Sequence, residues 1–276
     1  MTDDAGWFER AGANGRGAAA VREGSADQPR EWPRLAVERG VVDDESAYYE
    51  RLREATLTAA REAVAERESA DDQQLVHAVR ALDDCARTAN ELTERVAEWA
   101  GTHDADAAVD IEYVRDLASR APETPVEEQV GSLAGRVAAL DDQQAQLRAY
   151  IERTAPEIAP NLAALAGPVL TARLVALAGG LESLAKKPSG TVQVLGAEDA
   201  LFAHLRGGAD PPKHGVIYTH EAVRGTAPEH RGSAARALAG KLTIAARVDH
   251  YSGEYRPELA ADLEKRIERI QARDSA

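Results

Sequence analysis

One cysteine, one methionine, two phenylalanines and five lysines are all that these 276 residues hold of those four types. A lone thiol, Cys85, excludes an internal disulfide framework and a cysteine-cluster metal site. It sits within a helical apolar pattern, so buried filler is its expected role. No apolar run approaches the ~18 residues that suggest a membrane span. Aromatic residues make up 4% of the chain, while alanine and leucine abound. That balance predicts a mainly α protein whose 44% hydrophobic content can bury a core. The opening MTDDAGW has neither a basic n-region nor an apolar h-region, which leads us to expect a cytoplasmic protein.

Charge of one sign is also scarce, and unevenly so. The formal net charge is −14, yet residues 1–160 alone carry 18 arginines against 34 carboxylates, whereas residues 161–256 are net +3 and residues 257–276 net −1. All five lysines follow residue 185. The acidic, lysine-poor coat resembles that of proteins working in concentrated salt. Near 1 M ionic strength the screening length is ~3 Å, so the overall negative charge would neither steer nor repel a polyanion at a distance. Only close contacts would count.

The segment 10–29, rich in Gly, Ala and charge, has no apolar period and reads as a linker. Its Gly12, Gly15 and Gly17 have the wrong spacing for a phosphate-binding loop. A helical pattern begins near Asp43. Leu75, Val79, Leu82, Cys85, Ala89, Leu92, Val96 and Trp99 then alternate steps of three and four with one slip. Val126, Val130, Leu133, Val137, Leu140, Gln144, Leu147 and Ile151 repeat the pattern strictly, with Gln144 its one polar member. Two such seams joined by a connector of ~25 residues predict an antiparallel coiled-coil pair. The six apolar members Val126 to Leu147 and Ile151 are candidate dimerisation contacts. The same pattern fits the core of a four-helix bundle. Residues 160–185 are nearly uncharged and should form buried helices broken at Gly167-Pro168 and Gly179-Gly180. TVQVL (191–195) and GVIYT (215–219) are the only β-branched or aromatic runs, so one short strand pair is expected there.

Three groups of residues invite chemistry. Turning each residue by ~100° divides the helix Arg231–Tyr251 into two faces. Ala235, Leu238, Leu242 and Ala245 fall on one; Arg236, Gly240, Thr243 and Arg247 fall on the other. The two arginines, ~16 Å apart along the axis, could grip a phosphate backbone that small residues let approach closely. They could equally pair with the acidic coil. Glu198 and Asp199, next to Gly196, could be an acid and base, but adjacent helical residues point ~100° apart. Acidic residues in a first helical turn are favourable for structural reasons. Five histidines, His204, His214, His220, His230 and His250, lack the i,i+4 spacing of a helical zinc site, so no metal is expected.

Several of these stretches share a pattern. PNLAALAGPVLTARLVALAGGLESLAKKPSGTVQVLGAEDALFAHL, then PPKHGVIYTH and RGSAARALAGKLTIAARVDHYSG, resemble the Nop domain of archaeal box C/D ribonucleoprotein scaffold proteins. Residues 71–101 look like that family's opening coiled-coil helix. The resemblance implies a long antiparallel helical pair followed by an all-helical Nop domain, with homodimerisation through the coil. It implies no catalysis and no cofactor in this chain. The partners it implies are a box C/D guide RNA with a kink-turn, a ribosomal-type kink-turn-binding protein, and a fibrillarin-like methyltransferase that carries S-adenosylmethionine. The residues matching the family motifs are Arg173, Gly196, Ala197, Glu198, Lys213, His214, Arg231, Arg236, Lys241 and Arg247, which become the candidate RNA and protein contacts.

Two departures stand out. Asp199 occupies a position where the family usually has Lys. About 45 residues precede the coil where the family has a sizeable methyltransferase-docking domain, so docking is expected either through a reduced element around Trp7, Phe8, Trp32, Tyr48 and Tyr49 or not at all. The expected organisation is a shortened N-terminal region (1–45), a coiled-coil dimerisation domain (46–158), a Nop domain (159–256) and a helical tail (257–276). The competing reading is a coiled-coil dimeric adaptor that has lost RNA and methyltransferase binding.

Overall fold

A computed structural model describes residues 6–11, 17–24, 28 and 30–272. The chain divides into two compact units, Met1–Ala70 and Asp71–Ala276, so the first division falls at residue 70 and not at 45. Every described regular element is helical. The strand pair expected at 191–195 and 215–219 is absent among the described residues: the first run lies in a helix, Ser189–Val194, and the second in a 3-10 turn, Val216–Thr219. Six β-branched residues are a weak prior, and packing against the long helix Arg231–Tyr251 overrides them.

The first unit holds α1 (Trp7–Ala11), α2 (Gly17–Glu23), α3 (Trp32–Glu38) and α4 (Glu45–Ser69). The linker expectation fails at α2, where Ala18 and Ala20 are buried and the helix packs on α4. Gly12 and Gly15 lie outside the described residues. The Asp44 carboxylate caps α4 by accepting from the Ala47 N–H at 2.8 Å. The aromatic residues expected around a reduced docking element build the core of this unit. Phe8 and Tyr48 are buried beside Trp7, Trp32 and Leu35, and the Trp7 indole donates to the Tyr48 hydroxyl at 3.0 Å. Of the five, only Tyr49 is exposed, at 57%. A unit this small has few other large apolar groups from which to build a core.

In the second unit, α5 (Asp71–Ala100) and α7 (Pro125–Ile158) form the expected antiparallel pair. Leu75, Val79 and Leu82 near the start of α5 meet Ile151 and Ala155 near the end of α7. Ala89, Val96 and Ala100 meet Val130, Ala134 and Val137. The connector is not mere interruption: it contains α6 (Ile111–Ser119), capped by Asp110 and packed on α7. Val130, Val137 and Ile151 are therefore buried within a single chain. Their assignment to contacts between copies is corrected, because the seam's apolar side is filled by α5, α6 and α9 (Pro168–Ala178). Leu133, Leu140 and Leu147 are half-buried at its margins, and Val126 is exposed. Cys85 is likewise half-buried.

The remaining helices, except α12, which has no buried residue, build one core around α14. They are α8 (Pro160–Ala166), α9, α10 (Leu181–Lys186), α11 (Ser189–Val194), α12 (Glu198–Leu205), α13 (Glu221–Arg224), α14 (Arg231–Tyr251) and α15 (Glu258–Gln271). Gly167 (φ 75°) turns the chain so that α8 and α9 meet at 116°. α15 is no separate tail, since Leu259, Leu263, Ile267 and Ile270 belong to the same core. Alanines at 234, 235, 237, 239, 245 and 246 are all buried, so neighbouring helices close on α14 from several sides.

Side-chain caps lock this arrangement. The buried Asp249 carboxylate of α14 accepts from the Asn161 and Leu162 backbone N–H groups at 3.0 and 2.9 Å and from the Asn161 amide at 2.6 Å. It thereby satisfies the orphan donors at the start of α8. Asp72 of α5 does the same for the Leu181 N–H that opens α10, at 2.9 Å. The His220 Nδ1 accepts from the Ala222 N–H, which leaves Nε2–H to donate to the Leu165 carbonyl.

Candidate nucleic-acid interface

The candidate surface begins with two glycine-dependent turns. Gly196 has φ 81°, in the left-handed region that side chains other than glycine rarely adopt, and an added Cβ would lie 3.3 Å from Leu177. The Glu198 carboxylate folds back to accept from the Gly196 N–H at 2.9 Å. This interaction makes Glu198 a turn-closing group and leaves no acid–base partnership with Asp199. Gly215 approaches Leu195 so closely that a Cβ would fall 1.9 Å from its carbonyl oxygen. That closeness lets the Gly215 and Val216 N–H groups donate to Gln193 and Leu195 at 2.9 and 2.7 Å. The Gln193 amide also donates to the Lys213 carbonyl. Gly196, Ala197, Glu198, Lys213 and His214 are thus brought together, although their segments are separated by the whole of α12.

The 3-10 turn carries the surface onward. The His214 ring stacks on Tyr218 with centroids 4.6 Å apart, and the Arg231 guanidinium lies 5.5 Å from the Tyr218 ring centre. Arg231 is fixed by a bond from its Nε to the Thr226 carbonyl. Burial, and then the neighbouring Arg231 charge, push the His214 imidazole below its ordinary value of 6.5. A neutral, stacked imidazole beside a fixed guanidinium offers a π-face and a cation together, which suits a nucleotide. Arg173 lines the adjoining groove with Gly196, Gly215 and Tyr218, where its guanidinium is held 2.5 Å from Asp83 of α5.

Along α14 the two-face expectation is half right. Ala235, Leu238, Leu242 and Ala245 are buried as expected. Thr243 is buried too, its hydroxyl donating to the Ala239 carbonyl, so it leaves the cationic face. The exposed residues on the helix are Arg236, Ile244, Arg247 and Tyr251, with Gly240 partly open among them. The strip is narrow because helices cover α14 on both sides of it. Arg236 has no ion-pair or hydrogen-bond partner among the described residues, whereas the Arg247 Nε donates to the Ala185 carbonyl at 3.1 Å. Lys241 pairs with Asp262 of α15 at 2.8 Å. Arg247 and Lys241 are therefore not gathered into the His214–Tyr218–Arg231 cluster. Tyr218 is the residue that sequence reasoning missed, because the expected strand gave its ring no role.

Residues 69–269 match the family model for the Nop, or snoRNA-binding, fibrillarin-associated domain. The chain belongs to the Nop family. It is 53% identical over 131 residues to a NOP5 family protein of Methanocaldococcus jannaschii, covering 48% of this chain and 32% of that protein. It is 35% identical over 247 residues to nucleolar protein 58 of Scheffersomyces stipitis, covering 74% of this chain and 48% of the yeast protein. The Nop chain thus spans half or less of the length of these curated relatives. Its fold is similar to a chain in the crystal structure of a fibrillarin/Nop5p complex, with a TM-score of 0.54, 24% identity and coverage of 92% and 91% of the two chains.

Proposed function

We propose that this Nop-family chain is a non-catalytic scaffold of a box C/D-type RNA 2′-O-methylation ribonucleoprotein. In this reading it binds kink-turn RNA together with a kink-turn-binding protein and positions a fibrillarin-like methyltransferase, which brings the S-adenosylmethionine. The observation that carries the reading is the joining of the Gly196–Glu198 turn, the Lys213–His214 loop and Arg231 into one surface, with Arg236 exposed further along α14. Fixed cations, an aromatic face and closely approached backbone are the elements that recognise a bent RNA by shape. Pairing of two copies falls to the outward residues of the α5–α7 pair, Val126 among them, since the seam interior is filled. The adaptor alternative, which rested on Asp199 and the short N-terminal region, is not favoured beside the match to the snoRNA-binding Nop domain over residues 69–269.

A mobility-shift assay with a kink-turn RNA and its kink-turn-binding protein tests the reading. Arg236→Ala combined with Arg231→Ala is expected to abolish the shift while circular dichroism stays unchanged. Normal binding by that double variant would sink the assignment of this surface.

A further inference from the structure

Two of the five lysines and three arginines of the second unit meet at one groove. Turned about its axis, α15 places Leu259, Leu263, Ile267 and Ile270 against the core, Arg266, Asp262, Arg269 and Lys265 on one flank, and Glu264 and Glu268 on the other. The cationic flank faces α14 across an open groove of about 540 Å³ that Arg236, Lys241 and Ser233 also line. Five cations thus confront a single carboxylate, Asp262, in a chain whose net charge is −14. That carboxylate is already engaged by Lys241, whose hydrogen bond lowers it from its usual range. Arg236, Lys265, Arg266 and Arg269 have no ion-pair partner among the described residues. Other exposed arginines, Arg87, Arg115, Arg120 and Arg224 among them, are paired with carboxylates, and those without a partner among the described residues, such as Arg80, Arg136 and Arg148, stand outside this groove.

We propose that the α14–α15 groove is a phosphate-binding site that grips the sugar–phosphate backbone of the bound RNA. Lys265, Arg266 and Arg269 supply one wall and Arg236 the other. The site rests on the RNA-binding reading above and extends it to a helix outside the His214–Tyr218–Arg231 cluster. Three features favour an RNA backbone over an acidic protein surface. Guanidinium forks from both walls suit the tetrahedral oxygens of phosphate. Lys265 and Arg269 are ~6 Å apart along the helix axis, a spacing that lets each meet a different phosphate. The groove has no aromatic and only Ile270 as an apolar lining residue, so it lacks the buried anchors on which a protein interface depends. Arg236 belongs to both the groove and the exposed strip of α14, so one strand can run from one to the other.

The test is a triple variant, Lys265→Gln with Arg266→Gln and Arg269→Gln, in the full chain. All three side chains are exposed, so the helix should fold normally. Its binding to a kink-turn RNA with the kink-turn-binding protein is measured across a salt series beside the unaltered chain. Loss of three phosphate contacts is expected to flatten the slope of log affinity against log salt by about 2 on single-stranded RNA, with a larger change on duplex. A second variant, Glu264→Gln with Glu268→Gln on the far flank, is expected to keep the original slope. An unchanged slope and affinity in the triple variant, with full helicity, overturns the groove while leaving the RNA reading intact. Equal changes in both variants also overturn it, because they mark a general charge effect. Loss of pairing between copies with RNA binding unaltered overturns it in favour of an acidic protein partner. Failure of the unaltered chain to bind would instead remove the RNA reading itself.

Discussion

The α5–α7 pair and α14 are both long helical elements in one unit, yet they are buried in different ways. The pair has an apolar seam on one side and solvent on the other, so a 3-4 spacing describes it. α14 is enclosed on several sides by shorter helices, and alanines mediate most of the contact. Its burial cannot be reduced to one stripe. The comparison teaches that period predicts burial where a helix is covered along one side and fails where it is enclosed by five others.

The sharpest way to break the comparison is to enlarge or shrink the two interiors. Ile151→Ala in the seam should lower stability by about 3 kcal/mol, since the side chain is fully buried and the site can collapse only partly. Asp249→Ala should cost about 2 to 3 kcal/mol, by stranding the Asn161 and Leu162 donors in the core. Urea unfolding followed by circular dichroism reads both; a change below 1 kcal/mol in either would contradict the packing described. Thr243→Val should change stability by less than about 1 kcal/mol, because its hydroxyl serves only a carbonyl of its own helix. It should also leave RNA affinity untouched, and a marked loss would return Thr243 to the exposed face.

The smallest effect expected is a titration. His214 is held below 6.5 in the folded chain, so the unfolded chain takes up its proton first as pH falls. The stability it contributes is therefore complete above 6.5 and declines as pH drops through that value. An NMR titration should give His214 a midpoint below that of an exposed histidine, and Arg231→Gln should raise it. A midpoint at the ordinary value would mean that the His214 ring is solvated and not stacked.

What could be read from sequence follows from distance along the chain. The seams, the antiparallel pair and the breaks at Gly167 and Gly179 are local patterns, and the structure contains them. The cap between Asp249 and Asn161 joins residues 88 apart, and no local pattern announces it. TVQVL and GVIYT do lie side by side, the Gly215 and Val216 N–H groups donating to the Gln193 and Leu195 carbonyls, but one run is mostly helix and the other mostly 3-10 turn, so proximity was legible and conformation was not. α15 was legible as a helix but not as part of the core, because its apolar residues acquire a partner only once α14 is in place. At the candidate site, the helical wheel found Arg236 and Arg247. The convergence of Gly196, Lys213 and His214 was visible only through family resemblance, and the aromatic pivot Tyr218 was visible in neither.

The Asp249 cap has a further consequence. Arg247 is two residues before it on α14, so the carboxylate that secures the start of α8 also fixes the angular setting of an exposed cation. A ligand that binds Arg247 more tightly in the capped state would, by mass action, hold the Asn161 and Leu162 amides closed. Slower hydrogen exchange at those two amides would then report occupancy of a surface that neither of them touches.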